Sequence, residues 1–135
     1  VYKRQVQTPE DEKDRYPDAE KIITDSLEIE DIDFPVDFFI LATHHRNDDR
    51  ISLEAIKKGI PYVGVVASAK KTGIILEYLR KNGATEEELG CFFSPTGLEL
   101  NAKTPEHIAL SILSEMVMLT NGGSGKQKKI KSTTD

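Results

Sequence analysis

The 135-residue chain has no tryptophan and a single cysteine, Cys91. One cysteine cannot close an internal disulfide, which excludes a disulfide scaffold and fits a reducing compartment. No apolar run approaches the roughly 20 residues that span a bilayer, and the first residues lack the apolar core of a signal peptide. No membrane partner is therefore expected, and the expected location is the cytoplasm. The net charge of -5 leaves little basic surface, so no nucleic-acid partner is expected either. Neither G-x-G-x-x-G nor a Walker turn occurs, which removes the usual dinucleotide fingerprint.

What is present is enough apolar sequence, 38%, for one core. Residues 1–13 are polar and show no sustained period; Val1-Tyr2-Lys3-Arg4-Gln5 looks like translated adapter sequence, so this leader is read as partly artefactual and kept out of fold reasoning. Residues 122–135 open with Gly122-Gly123-Ser124-Gly125 and continue with Lys126, Lys128, Lys129 and Lys131, which reads as a flexible, solvated basic tail. Residues 14–121 make up the domain.

Strand and helix patterns alternate within that domain. Lys21–Thr24 is a short strand candidate. Val36–Ala42 is nearly continuous apolar sequence, as a parallel strand covered on both faces requires. Asn47 or Asp48 can cap a helix running to Lys58, with Gly59 at its stop. Tyr62–Ala67 is a second buried strand. Ser68 can cap the next helix, which ends at Asn82-Gly83, and Thr85 with Glu88 has capping-box spacing. Thr104-Pro105-Glu106 marks a last helix, and Ala109, Ile112, Leu113, Met116 and Val117 have the spacing of a buried stripe.

Strands separated by helices imply right-handed crossovers and a parallel sheet. Ligands then sit beyond the carboxyl ends of the strands. That rule selects Thr43-His44-His45-Arg46 after the first long strand and Ala67-Ser68-Ala69-Lys70 after the second, where helix-start amides can hold an anion.

A set of ordered segments resembles the xanthine dehydrogenase accessory proteins, the XdhC and CoxI group. They are Asp14-Arg15-Tyr16-Pro17-Asp18-Ala19-Glu20, Thr43-His44 with an acid at Asp48 or Asp49, and Tyr62-Val63-Gly64 followed by Ser68. Most specific is the run Pro95-Thr96-Gly97-Leu98, Ala102-Lys103-Thr104-Pro105-Glu106-His107-Ile108-Ala109 and Ser111-Ile112. The resemblance extends from Asp14 to Leu119. It implies a C-terminal, three-layer Rossmann-like α/β domain with a parallel sheet, here lacking its first strand and Gly-rich turn. It also implies a non-enzymatic maturation factor that binds the molybdenum cofactor (molybdopterin), delivers it or assists its sulfuration, and forms a homodimer at full length. The implied partners are a molybdenum hydroxylase apoenzyme and a cysteine desulfurase.

On these grounds the expected cofactor-binding residues are Thr43, His44, Asp48 and Ser68, with no catalytic residue and no metal ligand. Binding of NAD(P) is the alternative, as in a fragment of a nicotinamide-dependent oxidoreductase, although the Gly-rich turn is absent. Ala67 stands where many relatives carry glycine, and its Cβ would hinder a ligand if that turn required positive φ. Each residue also has a bland reading. His44 is a ligand contact or a loop histidine, Ser68 a contact or only a cap, and Asp48 and Asp49 simply charge a helix start. Adjacent His44 and His45 point to opposite sides of an extended segment, which disfavours a shared zinc. Cys91, before Phe92-Phe93, reads as a buried small residue.

Overall fold

Each strand is only two or three residues long, and those after residue 35 form where valine, isoleucine, leucine and phenylalanine cluster. The computed structural model describes residues 5–8, 10–19, 21–23, 28–43 and 47–130. Two compact units divide at Pro35. In the first, β1 (Gln5–Gln7) pairs in parallel with β2 (Lys21–Ile23), with Val6 opposite Ile22, and a 3-10 turn at Glu10–Arg15 lies in the connection. The polar leader, set aside as showing no sustained period, contains β1 and a buried Thr8, and Ile29 and Ile32 farther along the same unit are buried as well.

In the second unit, β3 (Phe39–Leu41), β4 (Val63–Val65) and β5 (Phe92–Phe93) form a parallel sheet in that order. Leu41 lies opposite Val65, and Val63 opposite Phe92. The expected parallel pairing of the two long apolar segments is present, but over three residues rather than six or seven. Helices α1 (Asp48–Lys57) and α2 (Ala69–Lys81) are the crossovers, followed by the single turn α3 (Glu86–Leu89) and the long α4 (Pro105–Asn121).

The two sheet faces differ chemically. Leu41, Val63 and Val65 pack with Ala55 and Ile56 of α1, Ile60, and Ile75 and Leu79 of α2. Ile75 and Leu79 are fully buried, each stabilising the fold by about 1.5–3 kcal/mol. The opposite face carries Ile40, Tyr62 and Gly64, with Thr96 against them. A Cβ on Gly64 would fall 2.6 Å from Thr96 Oγ1 and 2.7 Å from Tyr62 Cε1, so only glycine permits this approach.

The capping chemistry largely follows the sequence. Ser68 Oγ accepts from Lys71 N at 3.1 Å, Thr104 Oγ1 accepts from His107 N at 3.2 Å, and Thr85 and Glu88 close a reciprocal capping box. Lys57 Nζ donates to Glu88 Oε1 and to the Gly83 carbonyl, which ties α1 to that box. Neither acid nor amide caps α1, however. Asn47 takes a left-handed conformation with no side-chain cap, and the Asp48 carboxylate is engaged elsewhere.

The expected stripe on α4 requires correction. Ile112 is buried, but Ala109, Leu113 and Val117 are exposed, and the inward face is Ser111, Ile112 and Glu115. The cause is polar. Glu115 accepts from Tyr62 Oη at 2.5 Å and from Gly97 N at 3.2 Å, and Ser111 lies directly against Gly97. These contacts rotate α4 away from the orientation its leucines alone would select. Cys91 is half-buried rather than buried, and its carbonyl accepts from Val63 N at 2.8 Å.

Candidate functional site

Three segments leave the sheet side by side at its carboxyl edge. β3 and β4 run in parallel register to Leu41 and Val65, and Val66 N donates to the Leu41 carbonyl at 2.9 Å. The chain after β3 therefore emerges beside the chain after β4. Thr96 N donates to the Val65 carbonyl at 3.0 Å, which brings the segment after β5 to the same edge.

The first segment places Thr43 at the surface, where its hydroxyl donates to Asp48 Oδ1. Asp48, at the first position of α1, is only 2% exposed. Among the described residues its Oδ2 has no hydrogen-bond partner, and neither has the hydroxyl of fully buried Ser52 one turn along the same helix face. A carboxylate oxygen removed from water without a donor costs about 1–3 kcal/mol or more, so Asp48 Oδ2 can accept a further hydrogen bond. His44, expected to contribute here, lies outside the described residues, as do His45 and Arg46.

The second segment is the start of α2. Ser68 is extended and its hydroxyl satisfies Lys71 N. The amides of Ala69 and Lys70 have no carbonyl one turn earlier to bond, so they remain available as donors to an anion. Ala67 is not among the residues with positive φ. The hindrance expected of a Cβ in a left-handed turn therefore does not arise. Thr43 and Asp48 are thus brought together directly, while Ser68 belongs to the neighbouring strand exit with no bond to either.

The third segment, Ser94 to Gly97, belongs to the run that carries the family resemblance, while its residue types by themselves indicate only a turn. Ser94 Oγ bonds Thr72 Oγ1 of α2 at 2.7 Å, and the Ser94–Pro95 peptide is cis. Thr96 and Tyr62 hydroxyls bond each other. Tyr62 gives its proton to Glu115, so Thr96 must donate to Tyr62. Burial raises the Tyr62 pKa well above its ordinary value, and the hydrogen bond and charge of Glu115 raise it further, against a smaller opposing effect of Thr96. The phenol therefore stays protonated and serves as a fixed strut. Its ring stacks on Phe93 at 4.2 Å between centroids. Apart from the resemblance carried by Tyr62-Val63-Gly64 and Pro95-Thr96-Gly97-Leu98, the sequence signal for this cluster is the density of hydroxyl residues after Phe93, which spacing alone does not distinguish from a loop.

Among the described residues no group of three or more His, Cys, Asp or Glu is arranged to hold a metal ion. No helix among them is long and apolar enough to cross a membrane.

Residues 2–116 match the family model of the XdhC Rossmann domain. The chain is 35% identical over 92 residues to "Uncharacterized protein YqeB" of Escherichia coli (strain K12), covering 67% of this chain and 17% of that protein. It is 29% identical over 106 residues to a probable xanthine dehydrogenase subunit of Bacillus subtilis (strain 168), covering 76% of this chain and 30% of that protein. A crystal structure described as a xanthine dehydrogenase from Bacillus halodurans superimposes with a TM-score of 0.68 at 27% identity, covering 93% of this chain and 36% of that one. The chain thus spans about a third or less of the length of these relatives. A parallel α/β sheet with its crossovers, the ordered segments from Asp14 to Leu119 and the match over residues 2–116 together place the chain in the XdhC Rossmann domain family.

Proposed function

We propose that this chain is the ligand-binding part of an accessory factor for molybdenum hydroxylases of the xanthine dehydrogenase type. In this reading it holds the molybdenum cofactor for delivery or sulfuration and acts by recognition rather than by turnover. Its clients would be a hydroxylase apoenzyme and a cysteine desulfurase, in the cytoplasm. The observation that carries the reading is the buried Asp48 Oδ2, without a partner among the described residues, beside a serine-capped helix start at one sheet edge.

The donor set suits a phosphorylated pterin. The Ala69 and Lys70 amides and Lys70 itself would take the phosphate. Asp48 Oδ2 would accept an N–H of the ring system, with Thr43 fixing the carboxylate through its other oxygen. His44 would donate to a polar ring atom or oxyanion. When bound, the cofactor supplies the molybdenum centre, and the protein's part is to orient it and hold it.

Binding of isolated molybdenum cofactor, measured by fluorescence titration against Ser68→Ala, Asp48→Asn and His44→Ala, tests this. Loss of one charge-assisted contact should weaken binding by about 1.5–3 kcal/mol, or about one to two decades in affinity. Parent-like affinity in all three variants would remove the site. Tight binding of NADH instead, lost in Ser68→Ala, would favour the nicotinamide alternative.

A further inference from the structure

Two features stand next to each other at the end of the chain, an apolar helix side and a cluster of lysines. Leu110, Leu113 and Val117 of α4 are 55%, 56% and 54% exposed, and their spacing sets them within about 60° of one another around the helix. Between His107 and Lys126 the only charged residue is Glu115, which is turned inward to Tyr62 and Gly97. The charge that follows has one sign. Lys126, Lys128, Lys129 and Lys131 fall within six residues, and no acid occurs between Glu115 and Asp135. The lysines also start from a fixed point. Gly123 N donates to the Met118 carbonyl at 2.9 Å, and a Cβ on Gly125 would fall 2.9 Å from Met118 Sδ, so the chain stays against α4 until the first of them. Ile130, in their midst, is 91% exposed.

We propose that this side of α4 and the lysines after it bind the surface of an anionic lipid bilayer. Each part meets its complement there. The aliphatic side chains enter the apolar boundary beneath the headgroups, and the lysines face the headgroup charge. The residue types favour lipid over a protein partner. Protein contacts draw most of their affinity from Trp, Tyr and Arg, with Leu and Val under-represented, and α4 and the segment after it hold none of the former three. A contact of this kind needs no membrane-spanning helix.

Charge sets both the strength and the pose. A lysine near an anionic surface strengthens binding about five-fold, so the cluster as a whole supplies a gain of about several hundred-fold. Three half-exposed aliphatic side chains are a small anchor, which keeps the contact reversible. Glu106, four residues before Leu110, opens the same side of the helix. The helix therefore tilts, with its lysine end towards the headgroups and Glu106 away from them. None of these residues belongs to the carboxyl-edge site, so the proposal stands apart from the ligand reading.

Co-sedimentation of the full chain with sucrose-loaded phosphatidylcholine vesicles, with and without about 30 mol % phosphatidylserine, tests it in about 0.1 M sodium chloride, where charges are screened over roughly 10 Å. Binding to the anionic vesicles is expected, about 100-fold or more stronger than to the neutral ones. Leu113→Glu, at an exposed position, should leave the melting temperature unchanged and weaken binding by about 10- to 100-fold, because it withdraws an apolar group and adds a charge that the surface repels. The triple variant Lys126→Gln, Lys128→Gln, Lys129→Gln should weaken it by about 100-fold. A chain that stays in the supernatant with the anionic vesicles up to about 1 mM lipid overturns the proposal. So does binding indifferent to Leu113→Glu, which would leave the lysines alone in contact, or a chain that ignores both vesicles and forms a dimer that Leu113→Glu dissociates.

Discussion

Gly97→Ala probes the contact that orients α4 and closes the third wall of the site. Gly97 has φ +107°, a region L side chains rarely adopt. An added Cβ would collide with Ser111 Oγ and lie 3.2 Å from Ser111 Cβ and 3.3 Å from Ile112 N. Backbone strain at such a position costs about 1–3 kcal/mol. The hydroxyl can rotate away only by giving up its 2.7 Å bond to the Ile108 carbonyl, a loss of about 0.5–1.5 kcal/mol. The two remaining contacts are backbone or Cβ and cannot swing aside, so the total should reach about 2–4 kcal/mol. Urea unfolding followed by circular dichroism measures it, and a double-mutant cycle with Ser111→Ala separates the parts. Removing the hydroxyl eliminates its share of the clash, so the double variant should be more stable than the sum of the singles by about 0.5–1.5 kcal/mol. The φ strain persists in both backgrounds. A Gly97→Ala cost below about 1 kcal/mol would show that neither strain nor crowding operates there, and strict additivity would show that Ser111 is not the obstacle.

The corrected α4 orientation makes a paired prediction. Ile112→Ala should cost about 2–5 kcal/mol, whereas Leu113→Ala, at an exposed position, should stay within about 0.5 kcal/mol; equal costs in thermal melts would restore the original stripe. Tyr62 supplies a pH signature. Its folded pKa lies above the unfolded value of 10.0, so its contribution is complete below that pH and is lost above it, at up to about 1.4 kcal/mol per pH unit. Urea midpoints at pH 9 and pH 11 (roughly bracketing the phenol pKa) should then differ more in the parent than in Tyr62→Phe, and an equal difference would exclude a protonated, buried phenol.

The backbone elements are legible wherever a local side chain acts on the backbone next to it. Ser68, Thr85 with Glu88, and Thr104 with Pro105 all cap as their spacing indicates, because those bonds close within three residues. Val36–Ala42 and Tyr62–Ala67 are recognisable as parallel strands from their nearly continuous apolar runs, although β3 leaves Ile40 exposed instead of covered on both faces. Their lengths are not, since a strand ends where its neighbour ends, and β5 offers only Phe92 and Phe93. The rotation of α4 is hidden for a similar reason. Periodicity points to the leucines, whereas the helix is oriented by Glu115 reaching residues 53 and 18 positions away. At the site, sequence places Thr43 and Ser68 at strand ends. It does not reveal that Asp48 turns from capping α1 to the Thr43 hydroxyl, or that Ser94 and Thr72 meet at the same edge.

The polar attachment of α4 also bears on which parts of the unit open first. α1 and α2 are fixed by a water-free layer of aliphatic side chains, so separating them from the sheet exposes much apolar surface at once. α4 is held by Ile112, by Ser111 against one glycine, and by a carboxylate that water can solvate when it lets go. It should therefore undock in sub-global openings while the α1 and α2 layer stays closed, and its amides should exchange with solvent hydrogen sooner than those of Ile75 and Leu79. Because Glu115 also accepts from Gly97 N, each such opening frees the Gly97 end of that turn while Ser94 stays bonded to Thr72 and Thr96 to Val65, so one edge of the proposed site loosens in step with a helix that lies outside it.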